Sequence, residues 1–279
     1  MTAVFNNHGG FYSKAAYIEE CRRMGIRLLG LDVNESKREF TCREDAIRVG
    51  LDVIFELTEK TKDRIIAEQE RGRFCNYYEF VQRVHSREAE TANLIKCGAL
   101  RSVDINEPKM LLQNRLYFRH NHNRNLTEAL LQNVKLIPYN KYQRVLNEME
   151  ILDFGVTDHP LVIYEEKIEW RQVTPSFKLE ESKGQSIKVV GWTVTTRRVA
   201  TKNKEYMKFL TLEDRYGLYE AVMFPRVYAK YGHLSQGYGP FLIAGKVQSR
   251  LPGEANLLVD ELEVIKLDKR ELERKLQEA

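Results

Sequence analysis

Cations and aromatic rings crowd one short stretch of the chain. Arg197, Arg198, Lys202 and Lys204 stand close together, and Tyr206, Lys208 and Phe209 follow directly. Residue types in this order suit a polyanion. Lys and Arg neutralise phosphates and release counterions, while aromatic rings stack on exposed bases. The charge distribution agrees. Residues 186–250 hold 11 basic and 4 acidic side chains, a net +7. Residues 1–185 are balanced at 28 and 28, and residues 251–279 are acidic, with 5 against 8. The modest +4 of the whole chain therefore hides one strongly basic segment, the footprint of a polyanion partner.

No catalytic constellation accompanies it. The sequence has no P-loop, no G-x-G-x-x-G, no G-x-S-x-G and no H-E-x-x-H. The six histidines are dispersed, and His120 with His122 falls in a polar stretch. Asp32, Asp52, Glu56 and Asp153 sit where caps and turns are expected, and no compact acidic pair suggests a two-metal centre. No cofactor or metal is expected in this chain. Cys21, Cys42, Cys75 and Cys97 form no C-x-x-C, which points away from a zinc knuckle and toward a reduced, cytoplasmic setting. There is no signal-peptide pattern and no apolar run long enough to span a membrane.

The elements that must position the basic and aromatic residues follow from periodicity. At about Gly184 the pattern changes from helical to alternating. Strands are predicted over 186–196, 206–212, 218–224, 241–247 and 256–264. Arg197–Lys204 forms a basic loop between the first two, Glu213–Gly217 a turn, and Pro225–Tyr231 one or two helical turns. Gln248–Glu254, with Arg250, links the last two strands. Five strands with a helical turn between the third and fourth is the layout of an oligonucleotide-binding (OB) barrel, although another small barrel or sandwich shares the strand count. In an OB barrel the first loop and the last border the nucleic-acid groove. Alternation puts Leu210 and Leu212 on one face, so Met207 and Phe209 belong to the other. Val222 and Phe224 share the side of Glu220. Phe209 and Phe224 are the expected stacking residues, with Tyr206 at the loop edge.

The first half reads as helical. Ser13 caps a helix to Met24, and Thr58 caps one to about Glu70 that Gly72 stops. Helices follow over 74–84, from a cap at Ser86 to Gly98, over 108–119 and over 140–152. A short β-like segment covers 45–51. Arg119–Asn125 is a polar loop, and 266–279 is a solvated helix. Within Ile47–Ala99 the pattern suits a tandem helix-hairpin-helix, in which main-chain N–H groups at helix N-termini meet duplex backbone. Both hairpins, Phe55–Lys60 and Val84–Arg87, lack glycine, and the acidic Glu56 and Glu59 would repel phosphate, so a purely architectural pair of helical hairpins is the alternative to a DNA clamp.

Several segments in order resemble bacterial DNA polymerase III alpha subunits. Asn6-Asn-His-Gly-Gly-Phe-Tyr-Ser13, Tyr17-Ile-Glu-Glu-Cys-Arg-Arg-Met-Gly-Ile26 and Asp32-Val-Asn34 resemble the end of that family's fingers region. Ile47-Arg-Val-Gly-Leu51 and Leu94-Ile-Lys-Cys-Gly-Ala99 resemble its helix-hairpin-helix domain. Leu152-Asp-Phe-Gly-Val-Thr-Asp-His-Pro-Leu161 resembles its lead into the OB domain. Phe209-Leu-Thr-Leu-Glu-Asp214, Glu220-Ala-Val-Met-Phe-Pro225 and Gly245-Lys-Val247 resemble the OB domain itself. The resemblance departs at Gly30-Leu31, where the family has two prolines, and at the missing hairpin glycines near Glu56 and Thr58.

The resemblance implies a multidomain α + β chain: a fingers end (1–40), a tandem helix-hairpin-helix domain (41–105), a helical linker (106–183), a five-stranded OB barrel (184–267) and a tail (268–279). It implies the non-catalytic C-terminal part of a replicative nucleotidyltransferase whose Mg-binding palm lies outside this chain. Single-stranded DNA is the expected partner of the OB fold, and duplex DNA of the hairpins. The alternative is a scaffold that docks replisome partners such as the sliding clamp. Gln113, Leu116 and Phe118 loosely match that family's clamp-binding peptide.

Overall fold

The computed structural model describes residues 1–7, 10, 12–249 and 255–277. Its helices are α1 (Thr2–Asn6), α2 (Lys14–Arg23), α3 (Glu59–Arg71), α4 (Tyr77–Val84), α5 (Glu88–Lys96), α6 (Glu107–Arg119), α7 (Arg124–Leu131), α8 (Lys141–Leu152), α9 (Pro225–Tyr231) and α10 (Lys269–Gln277). Its strands are β1 (Arg27–Leu29), β2 (Thr41–Arg43), β3 (Ala46–Arg48), β4 (Ser186–Ala200), β5 (Tyr206–Glu213), β6 (Leu218–Met223), β7 (Phe241–Ser249) and β8 (Ala255–Val264). Two compact units result, one built chiefly from Gly25–Pro160 and the other from Leu161–Glu271 with Gly10–Met24.

Side-chain caps set the helix starts of the first unit. The amides of Thr61, Glu79, Lys109, Leu126 and Gln143 donate to Thr58, Asn76, Asn106, Asn123 and Asn140. Each bond satisfies a donor that the first turn leaves orphaned. Asn76 explains why α4 begins at Tyr77 rather than at Phe74. Asn123 likewise starts a helix, α7, just inside a stretch expected to be loop. Ser86 does not cap α5; Arg87 holds that position and Glu90 closes a capping box behind it.

Phe74 and Phe80 meet edge-to-face at 5.1 Å in the core, with Ile65, Leu94, Ile95, Leu100 and Met110 fully buried. A small sheet, ordered β1-β3-β2, sits in the same unit. Asp32 and Asn34 are structural. Asp32 Oδ1 accepts from the Asn34 amide (2.8 Å) and the Ser102 hydroxyl (2.7 Å). Asn34 both accepts from the Phe74 amide (2.7 Å) and donates to its carbonyl (3.2 Å).

The second unit is a closed barrel in the order β4-β5-β6-β8-β7. Every pairing is antiparallel except β6 with β8. Leu210, Leu212, Ala221, Met223, Phe241, Ile243, Val247, Leu257 and Val259 fill the interior, and Val227, Tyr228 and Tyr231 from the α9 segment pack against it. This strand order, with a helix between the third and fourth strands, is the OB topology. Residues 161–183, read as helical linker in the sequence, contribute short 3-10 turns to this unit. Gly245 permits a close approach, since a Cβ there would fall 2.2 Å from the Leu258 carbonyl oxygen.

Candidate nucleic-acid interface

Register determines which side chains share the outer face of the barrel. Arg197 pairs with Phe209, Phe209 with Val222, Val222 with Leu258, and Leu258 with Lys246. Paired residues in a sheet point to the same side. One continuous row therefore crosses β4, β5, β6, β8 and β7, apolar in the middle and cationic at both ends. A groove of ≈ 380 Å³ lies along it, lined by Met207, Phe209, Val222, Phe224, Gln248, Asn256 and Leu258. Phe224 is 48% exposed at its mouth. Phe209 is half-buried beneath Arg197, whose guanidinium carbon lies 5.0 Å from the ring centroid. That contact places the cation at the Phe209 side of the groove.

The other expected residues scatter. β4 continues to Ala200, so Arg197 and Arg198 lie on a strand and not in a loop. The pleat then turns them to opposite faces. Arg198 is in register with Lys208 and stacks over Tyr206 at 4.6 Å. Tyr206 is 48% exposed on that opposite face. Lys202 and Lys204 occupy the turn beyond, both exposed, with Lys204 in the left-handed region at φ 62.

Lys208 does not join the set. It is 8% exposed, and its ammonium donates to the Ser235 carbonyl and, at 3.1 Å, to the Ser235 hydroxyl. Burial lowers its pKa. Lys208 has the phase of Leu210 and Leu212, which face the interior, and so points away from the groove. Arg250 lies outside the described residues. Gln248, Asn256 and Leu258 in the groove, and Lys246 at the end of the row, are the residues not singled out from sequence. Their signal is phase, since each alternates with the buried Val247, Leu257 or Val259.

In the helical unit the first hairpin turns through Glu56 at φ 55, a conformation that favours glycine. Part of its main chain is engaged within the protein. The Phe55 amide donates to the Ile151 carbonyl (2.9 Å), and the Thr58 amide and hydroxyl donate to Glu90 Oε1 at 3.0 and 2.6 Å. Glu90 Oε2 accepts from the Arg87 amide at 3.0 Å. One buried carboxylate thus joins the starts of α3 and α5. Burial alone would raise its pKa, but the bonds from Thr58 and Arg87 prevail and hold it at about 2. Glu90 thus brings a negative charge to the start of α3, and Glu56 lies exposed in the turn before it.

Gln113, Leu116 and Phe118 lie on α6, all half-buried. At 3.6 residues per turn, Gln113 and Phe118 point about 140° apart. Phe118 packs edge-on against Tyr117 and His122. The three side chains do not form one docking strip on this helix.

Among the described residues no group of three or more His, Cys, Asp or Glu could hold a metal ion, and no helix is long and apolar enough to cross a membrane.

The two units define the class: a helix-hairpin-helix unit with an OB barrel. A helix-hairpin-helix motif family model matches residues 25–110. DNA polymerase III subunit alpha from Halalkalibacterium halodurans is 26% identical over 263 residues, covering 88% of this chain and 23% of that protein. The error-prone DNA polymerase of Bdellovibrio bacteriovorus is 25% identical over 246 residues, covering 79% and 23%. Among solved structures, a domain of replication protein A from Methanococcus maripaludis matches 36% of this chain and 94% of that one, at 17% identity and a TM-score of 0.26. The resemblance to DNA polymerase III alpha subunits read from the sequence is borne out along most of the chain, which spans about a quarter of the length of the curated relatives it matches.

Proposed function

We propose that the barrel groove binds single-stranded DNA, and that the chain serves as a DNA-holding, non-catalytic section of a replicative polymerase of the DNA polymerase III alpha type. The observation that carries this is the Arg197–Phe209–Val222–Leu258–Lys246 row, with cations flanking an apolar, aromatic floor. Such a floor stacks bases at roughly 1–3 kcal/mol each while the flanking cations track phosphates. Nucleotidyl transfer, with its metal ions, is assigned to a palm outside this chain. The first hairpin is read as architectural, because Glu90 occupies the Thr58 amide and hydroxyl.

Fluorescence anisotropy with labelled single-stranded DNA, titrated at low and moderate salt, tests this. The expected result is saturable binding whose affinity falls with salt, competed better by single-stranded than by duplex DNA. Absence of binding at low salt overturns the proposal.

A further inference from the structure

A second row runs beside the first on the groove face. Thr195 pairs with Thr211, Thr211 with Glu220, Glu220 with Asn256, and Asn256 with Gln248. Gln248 and Asn256 line the same groove as Phe209 and Phe224. Among the described residues, neither carboxamide is hydrogen-bonded by another protein group, and the Glu220 carboxylate has no ion pair or hydrogen bond. Open hydrogen-bonding groups beside stacking rings are the means by which base edges are read.

We infer that Glu220, Asn256 and Gln248 make the groove base-selective, favouring pyrimidines that carry a 4-amino group over those with a 4-oxo group. The chemistry is set by Glu220. An ionised carboxylate only accepts hydrogen bonds. The N4 amino group of cytosine donates to it. Uracil and thymine offer one N3–H flanked by two carbonyl oxygens, and those oxygens repel the carboxylate on both sides. The amides of Asn256 and Gln248 can complete either edge, so discrimination lies with the acid. This inference rests on the single-stranded DNA reading above.

The test uses the full chain and labelled oligodeoxycytidine and oligodeoxyuridine of about 12 nucleotides, within the usual site size of one OB fold. Neutral pH keeps cytosine unprotonated. Oligodeoxycytidine is expected to bind about fivefold tighter or more. In Glu220→Gln the carboxamide can donate to O4, so the preference should shrink below about twofold, mainly through tighter oligodeoxyuridine binding. Phe209→Ala should weaken both oligonucleotides alike. Equal affinities in the unmodified chain, or a preference unchanged in Glu220→Gln, overturn base selection while leaving the groove as a single-strand site. Binding of neither oligonucleotide at low salt overturns both readings.

Discussion

Arg197 and Phe209 are direct cross-strand partners, and the guanidinium of one lies 5.0 Å above the ring of the other. Arg198, the next residue, belongs to the opposite face. Two arginines adjacent in sequence therefore face opposite sides of the sheet. Arg197→Ala should lower single-stranded DNA affinity and reduce the salt slope by about 0.7 if Arg197 contacts one phosphate. Arg198→Ala should change both less. Salt titrations of the two variants check this, and equal losses would remove the facial distinction.

Lys208 offers a matched control. Lys208→Ala deletes a buried cation whose partners are both on Ser235. The Ser235 carbonyl is left without its donor, so stability should fall by about 1–3 kcal/mol. The salt slope of DNA binding should stay as it was. Urea unfolding and anisotropy on one preparation separate the two effects. A reduced slope with unchanged stability would return Lys208 to the groove.

Glu90 couples the helix starts of α3 and α5. Glu90→Gln keeps the shape but loses charge-assisted bonds, and should cost on the order of 2 kcal/mol. The folded carboxyl titrates at about 2 against an ordinary 4.5. Its stabilisation is complete above pH 4.5 and is lost as pH falls toward 2. Acid unfolding of the variant should therefore be less steep across that window; an unchanged profile contradicts the assignment.

Glu213 behaves oppositely. Burial pushes its carboxyl up to about 8, with Glu19 adding to the shift and Arg23 opposing it. The folded chain keeps a proton that the unfolded chain releases above pH 4.5. Stability should thus decline as pH rises from about 4.5 to 8. Glu213→Gln should flatten that decline, measured as the urea midpoint against pH. Parallel profiles for the two proteins would exclude Glu213 as the source.

What could be read in advance was governed by the range of the interactions concerned. Thr58, Ser13 and Asn140 announce helices because a cap acts over three residues. The barrel strands were visible because Leu210, Leu212, Val247, Leu257 and Val259 alternate with polar or half-buried neighbours. Phe209 and Phe224 could be assigned to one face by counting. Lys246, Gln248 and Asn256 could not be placed beside them, because register between β6, β7 and β8 depends on closure of the barrel and not on local pattern. Lys208 misled because charge suggests solvent, whereas phase on the strand decides direction. Glu90 was invisible for a related reason: Thr58, which it binds, is 32 residues away.

The single parallel pairing in the barrel, β6 with β8, has a consequence for assembly. Every other neighbour pair is antiparallel, but β6 and β7 have no contact ladder until the last strand is inserted between them. A chain shortened before Ala255 would leave two bare strand edges, flanking a slot of one strand's width. Such a slot is a template for any extended segment with free main-chain donors and acceptors. Residues 255–264 thus satisfy both of those edges, as well as forming part of the groove.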